Sequence, residues 1–265
     1  MITAVGVVIP ARDEGCLLGA CLQALRRALL ELPPRLGRAV CVVADRCTDD
    51  TAAVARAAFG GWRAGLVESN GRELPIGLVR DHGVRALRPL LRGHSPSRTL
   101  LLNTDADSTV DSGWAREHVA RAAEGSHAIA GMADLDLLSL SPHARARYQR
   151  VIDGVRRREG HGNVYCANLA VRADAYASVG GFGPVPTGED HDLWRRLEQA
   201  GYLLRFDSGA RVTTSPRLTG RARHGLADLL RSLHDAPADR APEVIALADS
   251  RPLASSQSAD HPGSR

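Results

Sequence analysis

The sequence predicts an α/β domain with a mostly parallel central sheet. Three observations predict it. Short apolar runs without alternation, at residues 4–9, 39–44 and 99–104, read as strands buried on both faces. Segments with apolar residues at helical spacing separate them. Each run also ends in a polar, acid-containing cluster, and open α/β sheets carry their ligand sites outside the carboxyl ends of the strands.

The elements follow in order. Pro10 is expected to end the first strand. Leu17, Leu18, Cys21, Leu22, Leu25 and Leu29 then mark an amphipathic helix over 14–32, stopped by Pro33 and Pro34. Thr48 or Asp49 can cap the helix that follows the second strand, over 50–58. A strand at 64–68 and a helix at 75–91 lead to the Leu100 strand, followed by a helix at 112–123. Strand and helix alternating in this way imply parallel pairing with helices on both faces. The second half is less regular. It offers strands at 127–132, 168–172, 203–206 and 211–214, and helices at 142–159, 189–199 and 223–234. Residues 1–235 read as one domain of two halves, 1–110 and 111–235. Residues 236–265, rich in Pro, Ala, Ser and Asp, read as a flexible tail. No internal repeat is present.

Composition narrows the chemistry. The formal charge is +4, yet the chain contains no lysine, so a P-loop lysine and a Schiff-base lysine are both excluded. Phosphate binding falls to Arg, whose planar fork suits it. Aromatic residues are 4% and the basic residues form no tract, which argues against nucleic acid as a partner. The cysteines number five, without a C-x-x-C pair, so neither a disulfide framework nor a zinc site is expected. No apolar run approaches the roughly 20 residues of a membrane span, and no leader pattern is seen. The expected compartment is the cytoplasm. There is no G-x-G-x-x-G after the first strand and no G-x-S-x-G elbow.

Asp105-Ala106-Asp107, directly behind the apolar run, is the most telling motif. Two carboxylates spaced i, i+2 at a strand end offer paired oxygen ligands to a hard divalent cation that also holds substrate phosphates. Asp-x-Asp alone also marks turns and caps. Two further strand ends carry polar clusters: Pro10-Ala11-Arg12-Asp13-Glu14 and Asp45-Arg46-Cys47-Thr48-Asp49. In a parallel sheet all three share one edge, where a nucleotide would sit. Asp45 is then placed to accept from a base N–H.

With these residues in view, the chain resembles a family 2 glycosyltransferase of the GT-A fold, a single Rossmann-like α/β/α domain with a mostly parallel sheet and an irregular acceptor-side C-terminal part. The resemblance rests on four segments in order: Val7 to Glu14, Val42 to Thr51, Leu101 to Asp107, and Gly180-Gly181-Phe182 followed by Gly188 to Leu197. Arg80-Asp81 resembles the family's Arg-Asn pair. Ala44, Asp13, Cys47 and Asp81 depart from the commoner Asp, Asn, Ser and Asn, and the donor base stays open.

The resemblance implies transfer of a sugar, hexosyl in type, from a nucleotide diphosphate sugar to an acceptor hydroxyl with inversion, with residues 1–110 as the nucleotide-binding half and 111–235 as the acceptor and base half. A soluble enzyme making single additions is implied, because the Gln-x-x-Arg-Trp motif of processive synthases is missing. Mg2+ or Mn2+ is the implied cofactor, held by Asp107 and Asp105 with His224 as a third ligand. Pro10, Ala11, Arg12, Glu14, Asp45, Arg80, Asp105 and Ala106 are assigned to the nucleotide sugar, a UDP-sugar being favoured. Asp190 is assigned as general base. Glu189, Asn168 and Gly181 are assigned to a small-molecule or lipid-linked acceptor, with His161 and Asn163 flanking it. A homodimer is compatible with this reading. A sugar nucleotidyltransferase is the alternative enzyme, but Arg12 is a poor substitute for its Gly-rich, basic loop. A non-catalytic nucleotide-sugar-binding relative is the other alternative.

Overall fold

In a computed structural model of the chain, which describes residues 1–62, 64–136, 143, 145, 146 and 164–215, β1 (Ala4–Ala11) runs through the middle of an eight-stranded sheet. All eight of its residues are buried, as a continuous apolar run requires. It pairs in parallel with β2 (Gly37–Asp45) on one side and β4 (Thr99–Asn103) on the other, and β2 pairs in parallel with β3 (Gly65–Asn70). Three crossover helices make these connections: α1 (Gly15–Leu30), α2 (Thr51–Ala58) and α3 (Ile76–Leu91).

Pro10 does not end β1. The strand continues to Ala11, with Pro10 opposite Val43. Thr104 donates to the Val8 carbonyl, so the polar groups of Val8 face β4, and by strand alternation those of Pro10 face the same side. β4 pairs with β1 only as far as Val8 opposite Asn103. The missing Pro10 N–H therefore costs no ladder bond.

The second half inserts antiparallel strands. After β5 (Ser108–Val110) come α4 (Trp114–Ala123) and β6 (Ala128–Leu135). Then follow β7 (Leu169–Arg172), α5 (Ala173–Ser178), α6 (Glu189–Gln199) and β8 (Leu204–Thr214). The strand order is β3-β2-β1-β4-β7-β6-β8-β5. β7 is antiparallel to both β4 and β6, β6 and β8 are parallel, and β5 is antiparallel to β8. The two short strands expected at 203–206 and 211–214 are one strand. Its register jumps from Gly131 opposite Asp207 to Met132 opposite Arg211, so Ser208, Gly209 and Ala210 bulge out of the ladder. The expected helices at 142–159 and 223–234 and the tail lie outside the described residues, which include only His143, Arg145 and Ala146 of the first.

Side chains alternate along β1. Val5, Val7 and Ile9 join one core cluster with α1, α2 and α4, while Ala4 and Val8 join another with α3, α5 and α6. The result is three layers, helix–sheet–helix. The carboxyl ends of β1, β2, β3 and β4 share one edge, and the site lies there. No described helix is long and apolar enough to cross a membrane.

Candidate active site

The loops after β1 and β2 are tied to each other. Asp13 Oδ1 accepts from the Thr48 N–H at 2.7 Å and from its hydroxyl. That backbone hydrogen bond is the chief reason the Asp13 carboxyl sits below its ordinary pKa. Asp49 accepts from the Gly15 N–H at 2.9 Å, and Thr51 Oγ1 accepts from the Glu14 N–H at 2.7 Å. Asp13 (φ 50°) and Arg46 (φ 48°) are the two non-glycine residues with positive φ among the described residues. Both sit at strand ends on this edge, where left-handed backbone costs of order 1–3 kcal/mol. Asp tolerates it through local hydrogen bonds. Pro10 and Ala11 are buried, Arg12 is half-buried, and Glu14 is buried.

Asp45, the last residue of β2, is also buried, and its Oδ1 accepts from Asn70 Nδ2 at 2.7 Å. Asn70 ends β3 as Asp45 ends β2, and they are direct register partners. Sequence reasoning missed Asn70. The same rule, a polar residue at the carboxyl end of a parallel strand, would have found it.

Arg80 is the centre of the site. It lies on α3, is 3% exposed, and donates from Nη2 to Asp105 Oδ1 at 2.6 Å. Its Nε stands 3.5 Å from Glu189 Oε1. Nε and Nη1 make no hydrogen bond within the described residues. One guanidinium thus braces the Asp105 loop and the first turn of α6. Burial opposes its charge, but Cys166, Asp105 and Glu189 outweigh burial and hold it above its ordinary pKa. The carboxylates count at neutral pH, because burial keeps Cys166 a thiol. Glu189 is itself raised, first by burial, with Arg80 opposing and Asp190 adding to the shift. The close approach depends on Gly77: a Cβ there would stand 2.8 Å from the Gly183 carbonyl and 3.1 Å from Glu189 Cβ.

Asp105 is half-buried, and its carbonyl accepts from the Ser108 N–H at 3.1 Å, which closes the turn holding Asp107. Ala106, assigned to the nucleotide sugar by the resemblance, is 3% exposed and packs in the core cluster. Arg80, assigned to the nucleotide sugar by the resemblance, is buried and engages two carboxylates here.

Glu189 and Asp190 open α6, preceded by Gly188 in the left-handed conformation. Acidic residues in a first turn are favoured by the helix dipole. The half-buried Asp190 carboxylate accepts from the Cys166 N–H at 3.1 Å through Oδ2, and from the His191 N–H at 2.8 Å through Oδ1. Gly181 (φ 69°) packs under Tyr176, where a Cβ would meet the ring at 2.7 Å. Tyr176 donates to Asp81 Oδ1 at 2.9 Å and accepts from the Phe182 N–H at 3.0 Å, which ties this turn to α3. Gly181 is buried in that turn and presents no side chain to an acceptor.

Asn168 is the clearest correction. It was expected at the acceptor, yet it is fully buried. Its Oδ1 accepts from Trp114 Nε1 at 2.7 Å and His118 Nε2 at 2.8 Å. Its Nδ2 donates to the Met132 carbonyl at 2.8 Å and the Ala210 carbonyl at 2.9 Å. All four of its amide positions are used, and none remains for a substrate. His224, His161 and Asn163 lie outside the described residues.

A family profile described as "Glycosyltransferase like family 2" matches residues 3–223. No curated protein matches. Among solved structures, that of GalNAc-T7 with UDP, GalNAc and Mn2+ superposes with a TM-score of 0.59 at 14% identity, covering 81% of this chain and 44% of that one. The mannosyltransferase PcManGT from Pyrobaculum calidifontis, in complex with GDP-Man and Mn2+, gives 0.56 at 16% identity, covering 88% and 70%. S. aureus TarS 1–349 with UDP-GlcNAc gives 0.57 at 12% identity, covering 89% and 62%. The chain thus spans less than half of the GalNAc-T7 chain, and these likenesses establish the fold.

Proposed function

The chain belongs to the family 2-like glycosyltransferases, and from that premise we propose that it moves a hexosyl group from a nucleotide diphosphate sugar, a UDP-sugar by preference, to an acceptor hydroxyl with inversion. The observation that carries this reading is Arg80, which joins the carboxylate at the end of β4 to the acidic first turn of α6. Donor-side and acceptor-side chemistry are thereby held in one rigid unit.

Asp105 and Asp107 suit a hard divalent cation. Both are half-buried carboxylates on one short turn, and Arg80 engages only one oxygen of Asp105. The charge balance calls for a cation too, because Asp105 and Glu189 share a single buried guanidinium and Asp190 follows Glu189. A diphosphate does not enter such surroundings uncompensated. When bound, Mg2+ or Mn2+ supplies charge compensation for the departing diphosphate. The neighbours seen with nucleotides and Mn2+ support this choice.

The chain's own residues do the rest. Pro10, Ala11, Arg12 and Glu14 form the wall beside the base and ribose, with Asp45 held by Asn70 to receive a base N–H. Arg80 holds the Asp105 carboxylate in place. Asp190 takes the acceptor proton as the acceptor oxygen bonds to the anomeric carbon and the bond to the diphosphate breaks. Glu189 and the turn at Gly181 shape the acceptor side, and the acceptor is a small molecule or a lipid-linked one.

A thermal-shift panel tests the reading. UDP, GDP or dTDP is expected to raise the melting temperature with Mn2+ or Mg2+ and not with EDTA. At a hundredfold excess over Kd the stabilisation is about 2.7 kcal/mol. No metal-dependent shift with any of the three nucleotides would sink the proposal.

A further inference from the structure

We propose that Asn168 is a positioning residue for Asp190: a buried knot of Trp114, His118 and Asn168 fixes the turn whose Cys166 N–H holds the base carboxylate. The inference deepens the function proposed above and rests on Asp190 being its base.

Residues Cys166–Asn168 form one 3-10 turn, closed by the Asn168 N–H donating to the Tyr165 carbonyl at 2.9 Å. Its two ends do different things. At one end the Asn168 side chain is clamped by α4 twice, by β6 once and by β8 once. At the other end the Cys166 N–H leaves the turn and reaches Asp190 Oδ2 at 3.1 Å. One residue, Ala167, separates the clamp from the N–H that holds the Asp190 carboxylate.

The donors fix the chemistry of the knot. Trp Nε1 can only donate, so the atom it meets is the amide oxygen, and Nδ2 then faces the two carbonyls. His118 must carry its proton on Nε2 to donate to that same oxygen. Burial lowers the His118 pKa to about 4, so the ring is neutral near pH 7. Its Nδ1 has no hydrogen-bond partner within the described residues.

Packing alone does not need these groups. A leucine would fill similar space without leaving a buried imidazole nitrogen unsatisfied, which costs about 1–3 kcal/mol. Gly131 supplies an independent sign that the amide is required. A Cβ at Gly131 would stand 2.3–2.5 Å from the Asn168 amide atoms. Gly131 is not among the glycines with positive φ, so its backbone does not demand glycine. The space it leaves is space for Asn168.

Amide exchange of 15N-labelled protein tests this without any substrate. Trp114→Phe removes the N–H donor together with part of the buried indole ring, and Gly131→Ala pushes on the amide from the other side; Val7 reports any general loosening. Each is expected to speed exchange of the Cys166 amide about tenfold or more relative to Val7 in β1, and Asp190→Asn to do so without touching the knot. The catalytic readout is nucleoside diphosphate release from UDP-glucose, UDP-N-acetylglucosamine or GDP-mannose with Mn2+. In Trp114→Phe, kcat is expected to fall about tenfold while the nucleotide Kd stays within twofold. Cys166 exchange unchanged in both knot variants, or accelerated equally along β1, overturns the inference. Normal turnover in Asp190→Asn overturns the proposed base instead, and leaves the link between knot and turn standing.

Discussion

The two halves of the sheet are built differently. From β1 to β4 every pairing is parallel and every connection carries a helix. From β5 to β8 antiparallel strands interleave, and β7 is inserted between β4 and β6. The first half presents its functional groups as strand ends on one edge, held by loop hydrogen bonds such as Asp13 to Thr48 and Asp45 to Asn70. The second presents Asp190 through long-range polar contacts, Cys166 N–H and the Asn168 knot. The contrast teaches that repetition along the chain fixes the proposed nucleotide side, whereas the proposed base side is fixed by groups meeting from distant segments. Arg80 and the Tyr176–Asp81 hydrogen bond span both.

The largest expected effect falls on the second half. Asp190→Asn keeps the metal-dependent nucleotide shift and loses transfer by about 10²–10⁴-fold, the usual worth of a general base. Steady-state turnover beside the melting panel checks it, and near-native turnover would remove Asp190 from that role.

The joint between the halves comes next. Arg80→Met leaves Glu189 buried without its counter-ion, and breaking a buried pair from one side costs about 3 kcal/mol at neutral pH. Without Arg80 the Glu189 pKa rises further, so the cost should shrink toward pH 5. Urea denaturation at pH 5 and pH 8 measures both. Equal losses at the two pH values would mean that Glu189 is not the group left stranded.

His118 gives an acid-side test of the second half. The unfolded imidazole titrates near 6.5 and the folded one at about 4, with burial as the chief cause and Asn168 and Asp207 opposing it. Above pH 6.5 neither state is charged and nothing changes. Between 6.5 and 4 the unfolded state binds the proton first, so stability falls as pH falls, by about 3 kcal/mol in all. His118→Gln should flatten that limb of the stability–pH curve. An unchanged slope in the variant would locate the acid sensitivity elsewhere.

The smallest effect probes the first half. A Cβ at Gly83 of α3 would stand 2.6 Å from Val8 Cγ1 and 3.0 Å from Val43 Cγ2, where the helix lies on β1 and β2. Gly83→Ala should cost about 1–3 kcal/mol by overpacking, with nucleotide affinity unchanged. A stabilised variant would show that α3 can lift off the parallel sheet without strain.

Much of this was legible in the chain itself. Val5 to Ile9, Val40 to Val43 and Leu100 to Leu102 are uninterrupted apolar runs, and uninterrupted runs mean strands covered on both faces. The order of strands and helices then required the ends bearing Glu14, Asp45 and Asp105 to share an edge. Pro10 misled because its strand neighbour stops short, a fact of sheet register that no local rule contains. Leu204–Thr214 read as two strands because a bulge interrupts the pattern where Asp207 turns to accept from the Ala210 N–H.

The sequence by itself therefore determined the parallel half and the placing of the acidic strand ends, since these follow from periodicity and from chain order. Only the tertiary structure decided what each polar group does there. Asn168 resembles a substrate ligand in sequence and is a saturated core amide in space. Arg80 is one more helical arginine in sequence and is buried between Asp105 and Glu189 in space. The physical reason is common to both. A buried polar group is defined by its partners, and these partners come from residues 25 to 109 positions away along the chain for Arg80, and 36 to 54 for the Asn168 side chain.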